Sequence, residues 1–169
     1  MKAVLALLIV FSCFSCQKAK TEPDYHFFRL MALAKIQKDF PALSPESANT
    51  DFSVQSLSGQ NFYKGYFRSA ELTFNKDNQL VKVVLSTEIM KASKVGLEKQ
   101  FKEILQAISL EYGIRPWHET YNENAEEGNA AVAYWGDEET NAFNAASLTL
   151  YVVGSESGFI EYSPRLQSE

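Results

Sequence analysis

Hydrophobic and polar positions change period several times along the chain, and each change marks an element. Residues 25–39 carry apolar side chains at Phe27, Leu30, Met31 and Ala34, continuing to the turn around Ile36, with Arg29, Lys35 and Lys38 off that line. This spacing predicts a helix capped by Asp24 and stopped by Pro41. The same segment also reads as an amphipathic anchor lying on a membrane surface. Residues 51–57 alternate Phe52 and Val54 against Ser53 and Gln55, the period of a half-buried strand. A turn at 58–61 leads to a longer strand over 62–75, with Tyr66, Arg68, Ala70, Leu72 and Phe74 on one face. Residues 75–79 are turn formers, and 80–86 return as a strand with Val81, Val83 and Leu85 opposed to Lys82 and Val84.

The clearest helix covers 95–112, where Leu97, Phe101, Ile104, Leu105, Ile108 and Tyr112 share one face. Gly113 and Pro116 end it. Residues 118–129 then read as a polar, acidic loop, 131–135 as a short strand, and 136–144 as a second acidic loop. Strands follow at 146–153 and 159–162, separated by a Gly/Ser turn. The predicted order is α-βββ-α-βββ. Short links between neighbouring strands imply antiparallel pairing, giving an α+β domain with a single antiparallel sheet and two helices packed on one face. The two halves share this element order without residue-level similarity, so an internal structural repeat is in view.

The first residues obey a different pattern. Lys2 is followed by an almost unbroken apolar run from Ala3 to Phe11, then Ser12-Cys13-Phe14-Ser15-Cys16. The run is too short to span a bilayer, which takes about 20 apolar residues. Charged start, apolar middle and small-residue exit form a secretory layout. With a cysteine directly after a small residue, the leader resembles the bacterial lipoprotein signal class. The resemblance covers the leader alone. It implies cleavage before a cysteine that then carries lipid, and so a protein of the bacterial cell envelope. Length favours Cys16 as the lipidated residue. The aliphatic Val10 three places back favours Cys13. An ordinary secretory signal with both cysteines incidental is the remaining reading. Gln17, not Asp, follows Cys16, which resembles sorting to the outer membrane facing the periplasm.

On this reading residues 1–15 are the signal peptide, 16–24 a lipidated flexible tether, 25–166 a single α+β domain and 167–169 a tail. Eight tether residues reach roughly 28 Å when fully extended, which keeps the domain close to the membrane. The mature chain has 154 residues, 169 less 15, a size that suits one domain and supplies its own core. No cysteine occurs from residue 17 onward. A disulfide framework, a thiolate metal site and a cysteine nucleophile are thereby excluded from that part. The net charge of −5 argues against nucleic acid, which takes a basic footprint.

Candidate chemistry is sparse. His26 and His118 show no metal-ligand spacing and read as surface or structural residues. Glu119, Glu123, Glu126, Glu127, Asp137, Glu138 and Glu139 crowd the acidic loops. They lack the alternating Asp/Asn pattern and central glycine of a calcium loop, so solvated loops are the simpler reading. No Gly-x-Ser-x-Gly elbow, phosphate-binding glycine loop or dinucleotide fingerprint is present, and no cofactor or metal is expected. The aromatics Phe62, Tyr63, Tyr66, Phe67, Trp117, Tyr121, Tyr134 and Trp135 divide between core packing and binding. Trp117, Tyr121, Glu123, Glu126 and Glu127 form the candidate partner surface, because Trp and Tyr combine contact area with a polar handle. The expectation is a non-catalytic envelope lipoprotein that binds another envelope protein. An inhibitor or immunity-type lipoprotein that blocks an envelope enzyme is one alternative. A hydrolase without a recognised motif is another.

Overall fold

The computed structural model describes residues 27, 31–41, 43, 52–136 and 146–166. The leader with Cys13 and Cys16, the tether, Asp24, His26, Asp137, Glu138, Glu139 and the tail lie outside the described residues. The elements are α1 (Leu33–Asp39), β1 (Phe52–Phe62), β2 (Phe67–Asn75), β3 (Leu80–Ser86), β4 (Met90–Lys91), α2 (Lys94–Tyr112), β5 (His118–Tyr121), β6 (Glu127–Trp135), β7 (Ala146–Val153) and β8 (Ser157–Ser163). All eight strands join one antiparallel sheet in the order β1-β2-β3-β8-β7-β6-β5, with β4 also paired to β8. The fold is therefore α+β and mostly sheet.

The strand order is nearly a mirror of itself about the centre. Each half is a helix followed by four strands, and the halves meet edge to edge through their last strands. The seam is thin. β3 meets β8 at Leu85↔Tyr162 and Ser86↔Glu161, and β4 meets it at Met90↔Gly158 and Lys91↔Ser157. Between them Thr87 exchanges two bonds with Ile160. The Thr87 amide donates to the Ile160 carbonyl at 3.0 Å, and the Thr87 Oγ1 accepts from the Ile160 amide at 3.0 Å. A side chain here replaces a backbone acceptor and carries the ladder across the irregular stretch.

Two strands more than the pattern predicts account for the changed order. β4 is only two residues long, and β5 falls inside the predicted acidic loop 118–129. β5 has no apolar alternation because it is an edge strand with three of its four residues exposed. β6 begins at Glu127, four residues before the predicted 131, and an irregularity between Asn129 and Ala131 leaves Ala130 and Ala131 both buried.

Of the first predicted helix, Leu33–Asp39 form α1, and most of 25–30 lie outside the described residues. Met31 and Ala32, just before α1, dock on the β2–β3 hairpin: Leu33 N–H donates to Asn78 O, and Leu80 N–H to Met31 O, both at 2.9 Å. Those backbone groups are committed to the hairpin, so the helix starts only at Leu33. Leu33 and Ile36 bury its apolar side, whereas Ala34 is exposed. The predicted turn at 58–61 belongs to β1, whose register shifts between Ser58 and Phe62. The true turn is 63–66. Alternation in β2 begins at Ala70, with Arg68 exposed and Phe67 buried. In β3 a second shift leaves Val81 as the extra residue and turns it outward, away from Val83 and Leu85.

α2 follows its predicted face closely, with Leu97, Phe101, Ile104 and Ile108 buried. The Ser93 side chain caps its start by accepting from Gly96 N–H, and Gly113 closes it at φ 67°, a conformation costly for other residues. The helix lies close on β8. A Cβ at Gly158 would meet Leu97 Cδ1 at 2.8 Å and press on the Tyr151 carbonyl oxygen, so only glycine fits there. Trp135 Nε1 donates to Ser109 Oγ at 3.3 Å, fixing β6 under the same helix.

Candidate functional site

The five residues of the candidate partner surface sit at or beside the β5–β6 edge, but not on one face. The pairing Glu119↔Ala133 and Tyr121↔Ala131 sets Glu119 and Tyr121 on the side of the buried alanines. His118↔Tyr134 and Thr120↔Val132 point the other way. Tyr121 is half-buried beneath α2. Its ring meets Phe101 edge-on at 6.0 Å, Lys102 Nζ lies 5.1 Å from the ring centre, and its hydroxyl donates to the Glu119 carboxylate. Burial, then the Glu119 carboxylate, raises the Tyr121 pKa above the usual phenol value.

Trp117 belongs to the opposite face and is 44% exposed. It stacks on Tyr134 at 6.0 Å and lies 5.4 Å from His118, which is itself 6.0 Å from Tyr134. Its amide donates to the Tyr134 carbonyl at 2.9 Å, which holds the residue at the strand entrance. The result is a three-ring corner at the sheet edge, with Trp117 and His118 exposed and Tyr134 half-buried. The sequence places His118 and Tyr134 near Trp117 only once β5 is recognised as a strand, and no apolar period marks it.

Glu123, Glu126 and Glu127 are exposed around the short link between β5 and β6. That link is held in shape. Asn122 Oδ1 accepts from Asn124 N–H at 3.2 Å, and Ala125 N–H donates to Asn122 O at 3.2 Å. Lys94, the first residue of α2, donates through Nζ to Asn122 O at 2.8 Å and also to Glu123 O. A preformed acidic turn loses little conformational freedom when a partner binds it.

A second group of the sequence's candidate aromatics, Phe62, Tyr63, Tyr66 and Phe67, gathers around the link from β1 to β2. Phe62 and Phe67 are fully buried and flank the turn 63–66, where Tyr63 and Lys64 adopt φ 47° and 56°. These are left-handed conformations uncommon for residues other than glycine. They hold the Tyr63 ring 5.3 Å from Tyr162. Tyr162 bonds Tyr112 at 2.9 Å between hydroxyls and stacks on Phe67 at 5.8 Å. Burial raises the pKa of both Tyr63 and Tyr162, with Glu111 adding to the first and Tyr112 to the second. This cluster is packing between α2 and the sheet.

Among the described residues no group of three or more His, Cys, Asp or Glu is placed to hold a metal ion. Among them, too, no helix is long and apolar enough to cross a membrane. Comparison with known proteins gives no match among protein-family models, curated proteins or solved structures. The fold and site define an α+β protein built on one eight-stranded antiparallel sheet, with an aromatic corner at one end of the β5–β6 hairpin and a clamped acidic turn at the other.

Proposed function

We propose that this chain is a lipid-anchored, non-catalytic protein of the bacterial envelope that binds another envelope protein through its β5–β6 edge. The anchor is Cys16, with Cys13 the alternative, and the membrane is the outer membrane on its periplasmic side. The leader pattern supports the location. The observation that carries the binding role is the Trp117–His118–Tyr134 corner, with Trp117 and His118 exposed, at the open end of the hairpin whose turn carries Glu123, Glu126 and Glu127. An exposed aromatic anchor with charged groups further along the same edge has the composition of a binding surface.

The Lys94 clamp favours a second reading within the same class. A rigid acidic turn suits insertion into a basic cleft, as an inhibitor or immunity-type lipoprotein would do to an envelope enzyme. Photo-crosslinking in cells from positions 117 and 126, followed by mass spectrometry, tests both. A single reproducible envelope protein is the expected result, and its identity separates assembly partner from inhibited enzyme. A blank from both positions, with the protein folded and lipidated, removes this edge as a binding site. Palmitate labelling of Cys16→Ser and Cys13→Ser tests the anchor, and label retained in both variants rules out both cysteines.

A further inference from the structure

One connected run of oxidisable rings crosses the interior from β6 to the turn 63–66. Trp135 is 2% exposed, and its ring lies 6.3 Å from that of Tyr112. The Tyr112 and Tyr162 hydroxyls meet at 2.9 Å. The Tyr162 ring is 5.3 Å from Tyr63, and Tyr63 is 6.4 Å from Tyr66. The run thus starts on a buried ring in β6 and ends on half-buried rings in the turn. Packing alone does not call for tyrosine along it. Phe62 and Phe67, beside the same rings, are fully buried without a hydroxyl to satisfy, whereas a buried phenol needs a partner. A proton acceptor stands at the outer end. The Glu111 carboxylate lies beside the Tyr63 hydroxyl and pairs with Lys64 at 3.4 Å at the surface. A neutral tyrosine yields an electron readily only when its phenolic proton leaves as well, so a positioned carboxylate makes Tyr63 the favoured seat of a radical.

We propose that Trp135, Tyr112, Tyr162 and Tyr63 form a relay that carries an oxidising equivalent from the core to the turn 63–66. A one-electron oxidant of the carbonate-radical class takes an electron from Trp135 and is itself reduced. An electron from Tyr63, passed through Tyr162 and Tyr112, refills the indole. The Tyr63 hydroxyl proton goes to the Glu111 carboxylate. Tyr63 has then lost one electron and one proton, and the other three rings end as they began. Tyr66 offers the radical a further ring in the turn. The relay spares the buried indole that anchors β6 under α2.

The test uses the full chain carrying Trp117→Phe, which leaves Trp135 as its one tryptophan. Flash photo-ionisation at the long-wavelength edge of indole absorption makes the Trp135 radical, and transient absorption follows it. The expected result is first-order decay of the tryptophanyl signal into a tyrosyl signal, at a rate independent of protein concentration. A nitroso spin trap with peptide mass spectrometry then finds the adduct on Tyr63 or Tyr66. Adding Tyr162→Phe moves the adduct back to Tyr112 or Trp135. Adding Glu111→Gln, at an exposed position, also moves it off Tyr63 and Tyr66 without touching the core. Far-ultraviolet dichroism checks the fold of each variant. A tryptophanyl signal that decays with no tyrosyl signal overturns the proposal. So does an adduct that stays on Trp135 before either addition, or one still on Tyr63 or Tyr66 in either folded variant.

Discussion

The hydroxyls of Tyr112, in the last turn of α2, and Tyr162, in β8, lie 2.9 Å apart and tie the helix to the sheet across fifty positions of sequence. The two ends of this bond are not equivalent. Tyr162 is 2% exposed, whereas Tyr112 is half-buried. Tyr112→Phe therefore strands a buried hydroxyl and costs about 1–3 kcal/mol. Tyr162→Phe leaves a hydroxyl that water reaches, and costs about 0.5–1.5 kcal/mol. Urea denaturation of both variants and of the double variant measures this. The double should lose less than the sum of the singles. The opposite ranking of the two singles would contradict the burial argument.

Tyrosine burial also sets a pH limit. Tyr63, Tyr121, Tyr151 and Tyr162 all have pKa values raised above 10.0, each chiefly by burial. A raised phenol pKa means that the fold keeps a proton which the unfolded chain releases near pH 10. Their contribution is present in full below that value and is lost as pH rises beyond it. For the deeply buried Tyr162 the slope is about 1.4 kcal/mol per pH unit. Denaturation midpoints should hold up to pH 10 and fall steeply above it. Tyrosinate absorbance should rise with unfolding for these residues rather than before it. A midpoint unchanged to pH 11 would contradict the assignment.

One side-chain hydroxyl bridges the irregular stretch of the seam between the halves. Thr87→Val keeps the shape but removes the acceptor for the Ile160 amide, leaving a buried N–H without a partner. The expected cost is about 1–3 kcal/mol, while Thr87→Ser should retain most of the stability. Hydrogen exchange at Ile160 reads the effect locally, and should speed up in Thr87→Val but not in Thr87→Ser. Equal protection in both variants would show that the ladder does not rely on this side chain.

What the sequence made legible follows from burial. α2, β7 and the 75–79 turn are readable because Leu97, Phe101 and Ile104, or Leu148, Leu150 and Val152, repeat at the period of the element and are all buried. β5 is hidden because an exposed edge strand has no apolar period to show. The non-helical backbone of Met31 and Ala32 is hidden for another reason. It comes from backbone bonds to Asn78 and Leu80, more than forty positions away, and the side chains carry no record of them. The outward turn of Val81 is likewise a matter of register. Of the candidate surface, the residue types were readable, but their division between two faces required β5 to be known.

That division yields the sharpest functional prediction. Trp117 is exposed and sits with Tyr134 and His118, whereas Tyr121 is held against Phe101 and bonded to Glu119. Trp117→Ala should leave the thermal midpoint within about 2 °C, since surface changes usually stay within about 0.5 kcal/mol. It should nevertheless abolish capture of a partner from position 126, because an aromatic anchor at a binding centre is worth about 2 kcal/mol or more. Tyr121→Ala should do the reverse in stability, lowering the midpoint by several degrees through lost packing on Phe101. The measurement is thermal melting paired with photo-crosslinking yield for both variants. If Trp117→Ala melts early and Tyr121→Ala does not, the two rings have been assigned to the wrong roles. If neither changes the yield, the partner uses neither face of this edge.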